Sequence, residues 1–239
     1  MRDGAPSATA RAVAQVRATM HRPVTVEGDG EIERQLVERF PSERRSPMAE
    51  LLERRTQWFD GVTLQAMEAG IGQVVIVAAG YDCRALRFRT SGVRFIELDH
   101  PSTQADKRRI LDDMSADVTD VAYAAADFTV DDVSAALAAA GHDARAATLF
   151  LVEGLLIYLP EQVIVSLLTA LRARATPASR LAVSISRGGS PEFQARVAAL
   201  GEHARSSFSD DEAQRLLQQC GWQGDTARSV VLASPARAR

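Results

Sequence analysis

The sequence predicts a doubly wound, mostly parallel α/β sheet with a helical N-terminal cap, and three observations carry that expectation. Apolar runs alternate with helical patterns between residues 74 and 186. One such run, Val74–Val77, enters a turn of small residues, Ala78, Ala79 and Gly80. A second, Phe95–Asp99 (FIELD), ends in acids about twenty residues later. Strands separated by helices pair in parallel through crossovers. A glycine turn followed by an acid on the next strand is the layout of a nucleotide-type cofactor site, where glycine admits backbone to the ligand and a carboxylate accepts ribose hydroxyls.

The elements follow in order. Alanine and valine at helical spacing, interleaved with Arg11 and Arg17, predict an amphipathic helix from Ser7 to Met20. A polar, glycine-containing connection spans Arg22–Gly30, and two helices are expected next, over Glu31–Phe40 and Pro47–Ala69, the second stopped by Gly70 and Gly72. Val74–Ala78 is too apolar for a solvated edge strand. Cys83–Phe88 starts the crossover to a second strand at Arg94–Leu98. A helix at Pro101–Met114, a strand at Tyr123–Ala126 and a helix at Val130–Ala140 follow, then a strand at Ala147–Val152, a helix at Glu161–Ala175 and a strand at Arg180–Ser186. Beyond a loop with Gly188, Gly189, Ser190 and Pro191, a helix at Asp210–Cys220 and a closing strand at Val230–Ala233 complete the chain.

At 239 residues, with 46% hydrophobic and 25% charged side chains, the chain has the composition of an ordinary globular domain with a large core. A net charge of −3 with acids and bases interspersed offers no basic face, which argues against nucleic acid as a partner. Of the 28 basic residues only Lys107 is lysine, which reads as the base composition of a GC-rich bacterium. Cys83 and Cys220 form neither a ligand spacing nor a disulfide framework, so no metal is expected. With no apolar h-region and no spanning segment, a cytoplasmic location without membrane partners is the default.

Single residues admit two readings each. A lone Gly80 is weak evidence, because many strand-to-helix turns need one glycine for backbone geometry alone. Glu97 and Asp99 share one face of their strand, as ribose ligands or as solvated acids. Asp127 before Phe128 either accepts an exocyclic amino group beside a ring or caps the helix near Val130. Glu153 directly follows an apolar strand and is costly to bury without a partner, which favours a functional role at the strand's mouth. Tyr158 points into the same cleft or packs with its hydroxyl at the surface. Asp82 and Arg84 read as an ion pair bracing the turn, and His100 as a structural turn residue.

Four stretches together resemble the leucine carboxyl methyltransferase family. Val75–Arg87 is similar to its strand and G-A-G-x-D-T-R-x-x-R signature, and Phe95–Lys107 resembles its E-V-D-x-P-x-x-x-x-x-K element. Glu153–Leu159 matches E-G-x-x-x-Y-L, and Arg55–Asp60 resembles its R-T-x-x-x-D helix. The resemblance covers roughly residues 50–222. It implies a Rossmann-like class I methyltransferase using S-adenosyl-L-methionine, with a short lid insertion. One domain over 1–239 would comprise a helical cap (1–70), a cofactor-binding core (71–186), and a lid with the C-terminal part (187–239).

It also implies roles. Gly80 would admit backbone to the methionyl part, Asp99 would hold the ribose with Glu97 supporting the turn, and Asp127 with Phe128 would receive adenine. Glu153 would face the cofactor's amino group, Arg55 its carboxylate, and Arg17 would close over the same end. Tyr158 is a candidate on the acceptor side. The chain departs from the family pattern at Ala78 or Ala79, where the family has its first glycine, and at Cys83, where it has threonine. Only about forty residues separate Leu181 from Trp222, a short stretch for the segment that builds the family's acceptor pocket, which is compatible with a shallow or open site and with a truncated or partly degenerate enzyme.

The expected activity is methylation of an oxygen, a carboxylate, on a small molecule such as a polyketide, since a carboxylate needs no general base. A cofactor-binding protein without turnover and a nucleotide-dependent oxidoreductase are the alternatives, the latter weakened by the missing G-x-G-x-x-G.

Overall fold

The computed structural model describes residues 6–40, 49–188 and 204–236. Its helices are α1 (Ala8–Ala18), α2 (Ile32–Val37), α3 (Ala49–Glu68), α4 (Arg84–Arg87), α5 (Pro101–Asp113), α6 (Val133–Ala139), α7 (Glu161–Ala173) and α8 (Asp210–Gln219). Its strands are β1 (Gln73–Val77), β2 (Arg94–Asp99), β3 (Val121–Ala125), β4 (Thr148–Val152), β5 (Arg180–Ser184), β6 (Trp222–Gln223) and β7 (Val230–Pro235). They form one sheet in the order β3-β2-β1-β4-β5-β7-β6. β1 to β5 run parallel, and β7 is antiparallel to both β5 and β6.

β1 and β4 are buried along their whole length because both sheet faces are covered, which is why they read as unbroken apolar runs. Alternation sends Val75, Val77, Phe150, Val152, Leu181 and Val183 to a core closed by α6, α7 and α8. Val74, Ile76, Leu149 and Leu151 point the other way, towards Phe59, Ile110 and Leu111 of α3 and α5, with Ala14 and Leu36 of α1 and α2 in the same core. Each fully buried Val or Leu contributes about 1.5–3 kcal/mol. Trp222, fully buried at the first core's edge, keeps its ring nitrogen satisfied by donating to the Leu168 carbonyl at 3.0 Å.

Several boundaries differ from the sequence expectation. α6 begins at Val133, not Val130, because Asp132 accepts from the Ala135 amide and caps it. Asp127 is therefore not that helix's cap; it accepts from the Thr129 amide at 2.9 Å and closes a local turn. α2 stops at Val37, and the chain reaches Phe40 through turns. Trp222–Gln223 is a short strand that the sequence pattern did not announce. The start of the helix expected from Pro47, and the turn at Gly189–Pro191, lie outside the described residues.

At the N-terminal edge of the sheet a buried histidine makes stability pH-dependent. His142 Nδ1 accepts from Arg174 Nε at 3.0 Å, and Nε2 lies 3.0 Å from Thr148 Oγ1, so the ring is inferred to be neutral with its proton on Nε2. Burial, then the Arg174 charge, lowers its pKa from 6.5 to about 4. A lowered histidine contributes stability that is complete above pH 6.5 and is lost as pH falls towards 4. Urea unfolding at pH 7.5 and pH 4.5 is expected to differ by roughly 1–3 kcal/mol more in the wild type than in His142→Gln. Identical pH dependence in the two proteins would remove this assignment.

Candidate functional site

The strand order reverses direction between β1 and β4, and ligands of open α/β sheets bind at such switch points, outside the carboxyl ends of the strands. Along that edge the four strand ends carry, in spatial order, Asp127 after β3, Asp99 at the end of β2, the Gly80 turn after β1 and Glu153 after β4. Three inter-strand spacings make this row about 14 Å long.

The turn is shaped by two residues in the left-handed region, Ala78 (φ 53°) and Gly80 (φ 54°). A side chain on Gly80 would also strike α1, its Cβ falling 2.9 Å from Ala10 Cβ. Ala78, at the position of the first glycine of the signature, is thus an L-residue in the left-handed region, which costs about 1–2 kcal/mol. Ala78→Gly is expected to raise stability by about 0.5–1 kcal/mol after the entropy gained by the unfolded chain, read as an upward shift of the urea midpoint. A lower midpoint would mean that Ala78 packing outweighs the strain.

Asp99 lies under this turn, accepting from the Gly80 amide through Oδ2 and from the His100 amide through Oδ1 at 2.6 Å. Burial raises its carboxyl pKa, against the pull of those two amides. Glu97 sits deeper on β2 and receives Lys107 Nζ on both oxygens at 2.7 Å. Lys107 also donates to the Asp82 carbonyl, so the pair ties α5 to the turn. His100 is the N-cap of α5, its Nδ1 accepting from the Ser102 amide at 3.3 Å, which is the structural role expected of it.

Glu153 is the centre of a buried charge cluster. Its Oε1 accepts from Arg55 Nε at 2.9 Å and its Oε2 from Arg84 Nη1 at 2.8 Å, with Arg17 Nη2 forming an ion pair with Oε2 at 2.9 Å. Burial raises its pKa, but Arg17, Arg84 and Arg55 hold it well below the usual carboxylate range. Asp82 is likewise brought to about 2, burial being outweighed by Arg84, Arg17 and Arg22. Asp60 of α3 takes Arg84 Nε at 2.7 Å and Arg22 Nη2 at 2.8 Å, and Arg22 also pairs with Glu33.

Four arginines (Arg17, Arg22, Arg55, Arg84) therefore face four acids (Glu33, Asp60, Asp82, Glu153). Buried ion pairs rarely add net stability over apolar packing, so eight such charges near one another make this cluster the candidate functional site. Arg55 is the outermost, with 21% of its side chain exposed.

The structure joins Gly80 to Asp99 on the β2 side of β1, and Glu153 to Arg55 and Arg17 on the β4 side. Asp127 is part-exposed at the β3 end, with Phe128 packed against the first core. Tyr158 is half-buried in the 3-10 turn Leu156–Tyr158 that follows Glu153. The sequence reading passed over Arg22, Glu33 and Asp60. Asp60 had a signal, as the acid of the R-T-x-x-x-D helix, but Arg22, which pairs with Asp60 38 residues on and with Glu33 11 residues on, and Glu33 itself left none. It also passed over Arg11, which donates to Tyr81 Oη at 3.1 Å and to Asp106 at 2.7 Å and latches α1 over the turn.

Comparisons with known proteins place this geometry. The chain matches the leucine carboxyl methyltransferase family over residues 8–172. It is 34% identical over 219 residues to a Mycolicibacterium gilvum protein classed as an S-adenosyl-L-methionine-dependent methyltransferase, covering 86% of this chain and 71% of that one. A Streptomyces avermitilis protein classed in the same way is 34% identical over 175 residues, 72% of this chain and 62% of its own length.

Among solved structures, a Thermobifida fusca protein classed as a methyltransferase superposes with a TM-score of 0.59 at 16% identity, covering 99% and 97% of the two chains. An O-methyltransferase from neocarzinostatin biosynthesis, solved with S-adenosylmethionine and 2-hydroxy-5-methyl naphthoic acid, gives a TM-score of 0.52 at 16% identity over 78% and 60%. These two share the fold. With the match running from α1 into α7 and taking in the strand ends that carry Gly80, Asp99 and Glu153, the chain belongs to the leucine carboxyl methyltransferase family, whose cofactor is S-adenosyl-L-methionine.

Proposed function

We propose that this protein is an S-adenosyl-L-methionine-dependent O-methyltransferase that methylates a carboxylate of a small molecule. The observation that carries the reading is the row Asp127, Asp99, Gly80 and Glu153 along one sheet edge, ending in a charge-balanced cluster. The residues fit the cofactor. A zwitterionic amino-acid end brings one positive and one negative charge to four arginines and four acids and leaves the balance unchanged.

In this reading Asp99 has lone pairs left after its two amide donors and accepts the ribose hydroxyls. Glu153 takes the ammonium, and Arg55 takes the carboxylate through its planar fork. Gly80 admits backbone to the methionyl part, while Asp127 and Phe128 receive adenine at the β3 end. Residues 1–70 act as a cap, with α1 held over the turn by Arg11 to exclude water, 71–186 as the core, and 187–239 as lid and C-terminal part. When bound, the cofactor supplies an activated methyl group on a sulfonium. The chain's task is then alignment of the acceptor oxygen, for which Tyr158, beside Glu153, is a candidate on the acceptor side.

An ionised carboxylate needs no general base, and His100, the histidine found at this edge among the described residues, supports that choice by its position. It caps α5 and sits 3.8 Å from Asp127 at the β2–β3 end, two strands from Glu153. Incubation with cofactor carrying a tritiated methyl group and a panel of aromatic and polyketide carboxylic acids tests the class of acceptor. Product label released as volatile methanol by mild base identifies an ester. Base-stable label means that the methyl is not held as an ester and overturns the carboxylate assignment.

A further inference from the structure

The two oxygens of Glu153 are not equivalent. Oε2 is held by Arg84 and Arg17, whereas Oε1 accepts from Arg55. Arg84 cannot leave. Its side chain is fully buried, Nε and Nη1 are committed to Asp60 and Asp82, Nη2 donates to the Thr56 carbonyl at 3.2 Å, and its guanidinium lies 5.8 Å from the centre of the Phe59 ring. Its own backbone amide is tied to Asp82 Oδ1 at 2.8 Å. Arg17 is almost as enclosed, at 7% exposure, and also faces Asp82 at 3.2 Å. Arg55 holds Glu153 from the outside, through Nε, and no other ion pair is recorded for it among the described residues.

We propose that Arg84 is a positioning residue that commits Glu153 Oε2 to the protein interior and so presents Oε1, with Arg55 as its exchangeable partner, to the α-ammonium of the cofactor's amino-acid end. Arg55 then swings from Oε1 to the cofactor's carboxylate, and the site swaps one internal ion pair for two pairs with the ligand at constant net charge. This rests on the cofactor reading above and assigns a role that Arg84 plays through another residue, without touching the ligand. Loss of the guanidinium fork leaves Oε2 with Arg17 alone and loosens the orientation of Glu153, which harms recognition of the amino-acid end and leaves the nucleoside end alone.

Two ligands separate those ends. S-adenosylhomocysteine carries the amino-acid end, and 5′-methylthioadenosine has the same adenosine and thioether without it. In calorimetric titrations Arg84→Lys, which keeps the charge but loses the fork, is expected to weaken S-adenosylhomocysteine roughly 10- to 100-fold. Its affinity for 5′-methylthioadenosine should stay within about 2-fold of wild type. The charge-balanced double variant Arg84→Gln with Asp82→Asn should show the same split, and serves if circular dichroism shows Arg84→Lys unfolded. Equal weakening of both ligands means a merely structural arginine and overturns the proposal, as does unchanged affinity for both. Wild-type protein that binds neither ligand overturns the cofactor reading itself, and the positioning role with it.

Discussion

Lys107→Met is expected to destabilise the protein by about 3–5 kcal/mol, because it leaves the Glu97 carboxylate buried without its counter-ion. Glu97 is 2% exposed, and burial already raises its pKa in spite of Lys107. In the variant that rise should grow, and its sign dictates the pH response. A carboxyl raised in the folded state is tolerated below its unfolded pKa and loses stability as pH rises through the folded one. The deficit should therefore be larger at pH 8 than at pH 5 in urea unfolding. Glu97→Gln in the same chain should recover part of it, and a deficit that is flat with pH would show that the cost is packing alone.

The same site explains the chain's single lysine. Lys107 Nζ has three donors and three acceptors, both Glu97 oxygens and the Asp82 carbonyl. A guanidinium brings five N–H donors in a rigid fork to a cavity that satisfies three. Arginine serves at the other 27 basic positions, but not here. Lys107→Arg should therefore destabilise the fold despite keeping the charge.

Asp99→Ala is expected to weaken S-adenosylhomocysteine by roughly 100- to 10,000-fold, since two hydroxyls would each lose a hydrogen bond to a charged acceptor. The substitution also leaves the Gly80 and His100 amides without their acceptor, at about 1–3 kcal/mol of stability. Circular dichroism must accompany the titration for that reason. Asp99→Asn, which retains an acceptor oxygen, should keep the fold and show an intermediate loss. Affinity unchanged in a folded Asp99→Ala protein would move the ribose site elsewhere.

The sequence made some parts of this molecule legible and hid others for physical reasons. Parallel strands buried on both faces leave unbroken apolar runs, so β1 and β4 were visible from Val74–Val77 and Leu149–Val152 alone. Acids and a glycine at strand ends are local patterns too, which is why Gly80, Asp99 and Glu153 stood out. Strand order is not local. Nothing in Val230–Pro235 says that it runs antiparallel beside β5, and Trp222–Gln223 is too short to show a period.

The charge cluster was half legible for the same reason. The burial of Glu153 demanded a partner, but its three arginines come from α1, α3 and α4, up to 136 residues away along the chain. The left-handed backbone of Ala78 was hidden behind an ordinary residue type.

The central claim is that the row from Asp127 to Glu153 holds the cofactor, and a calorimetric titration of the wild-type protein with S-adenosylhomocysteine tests it most directly. We expect one saturable site per chain, with no comparable heat from NAD. No binding of S-adenosylhomocysteine, or a site that takes NAD in its place, would contradict it.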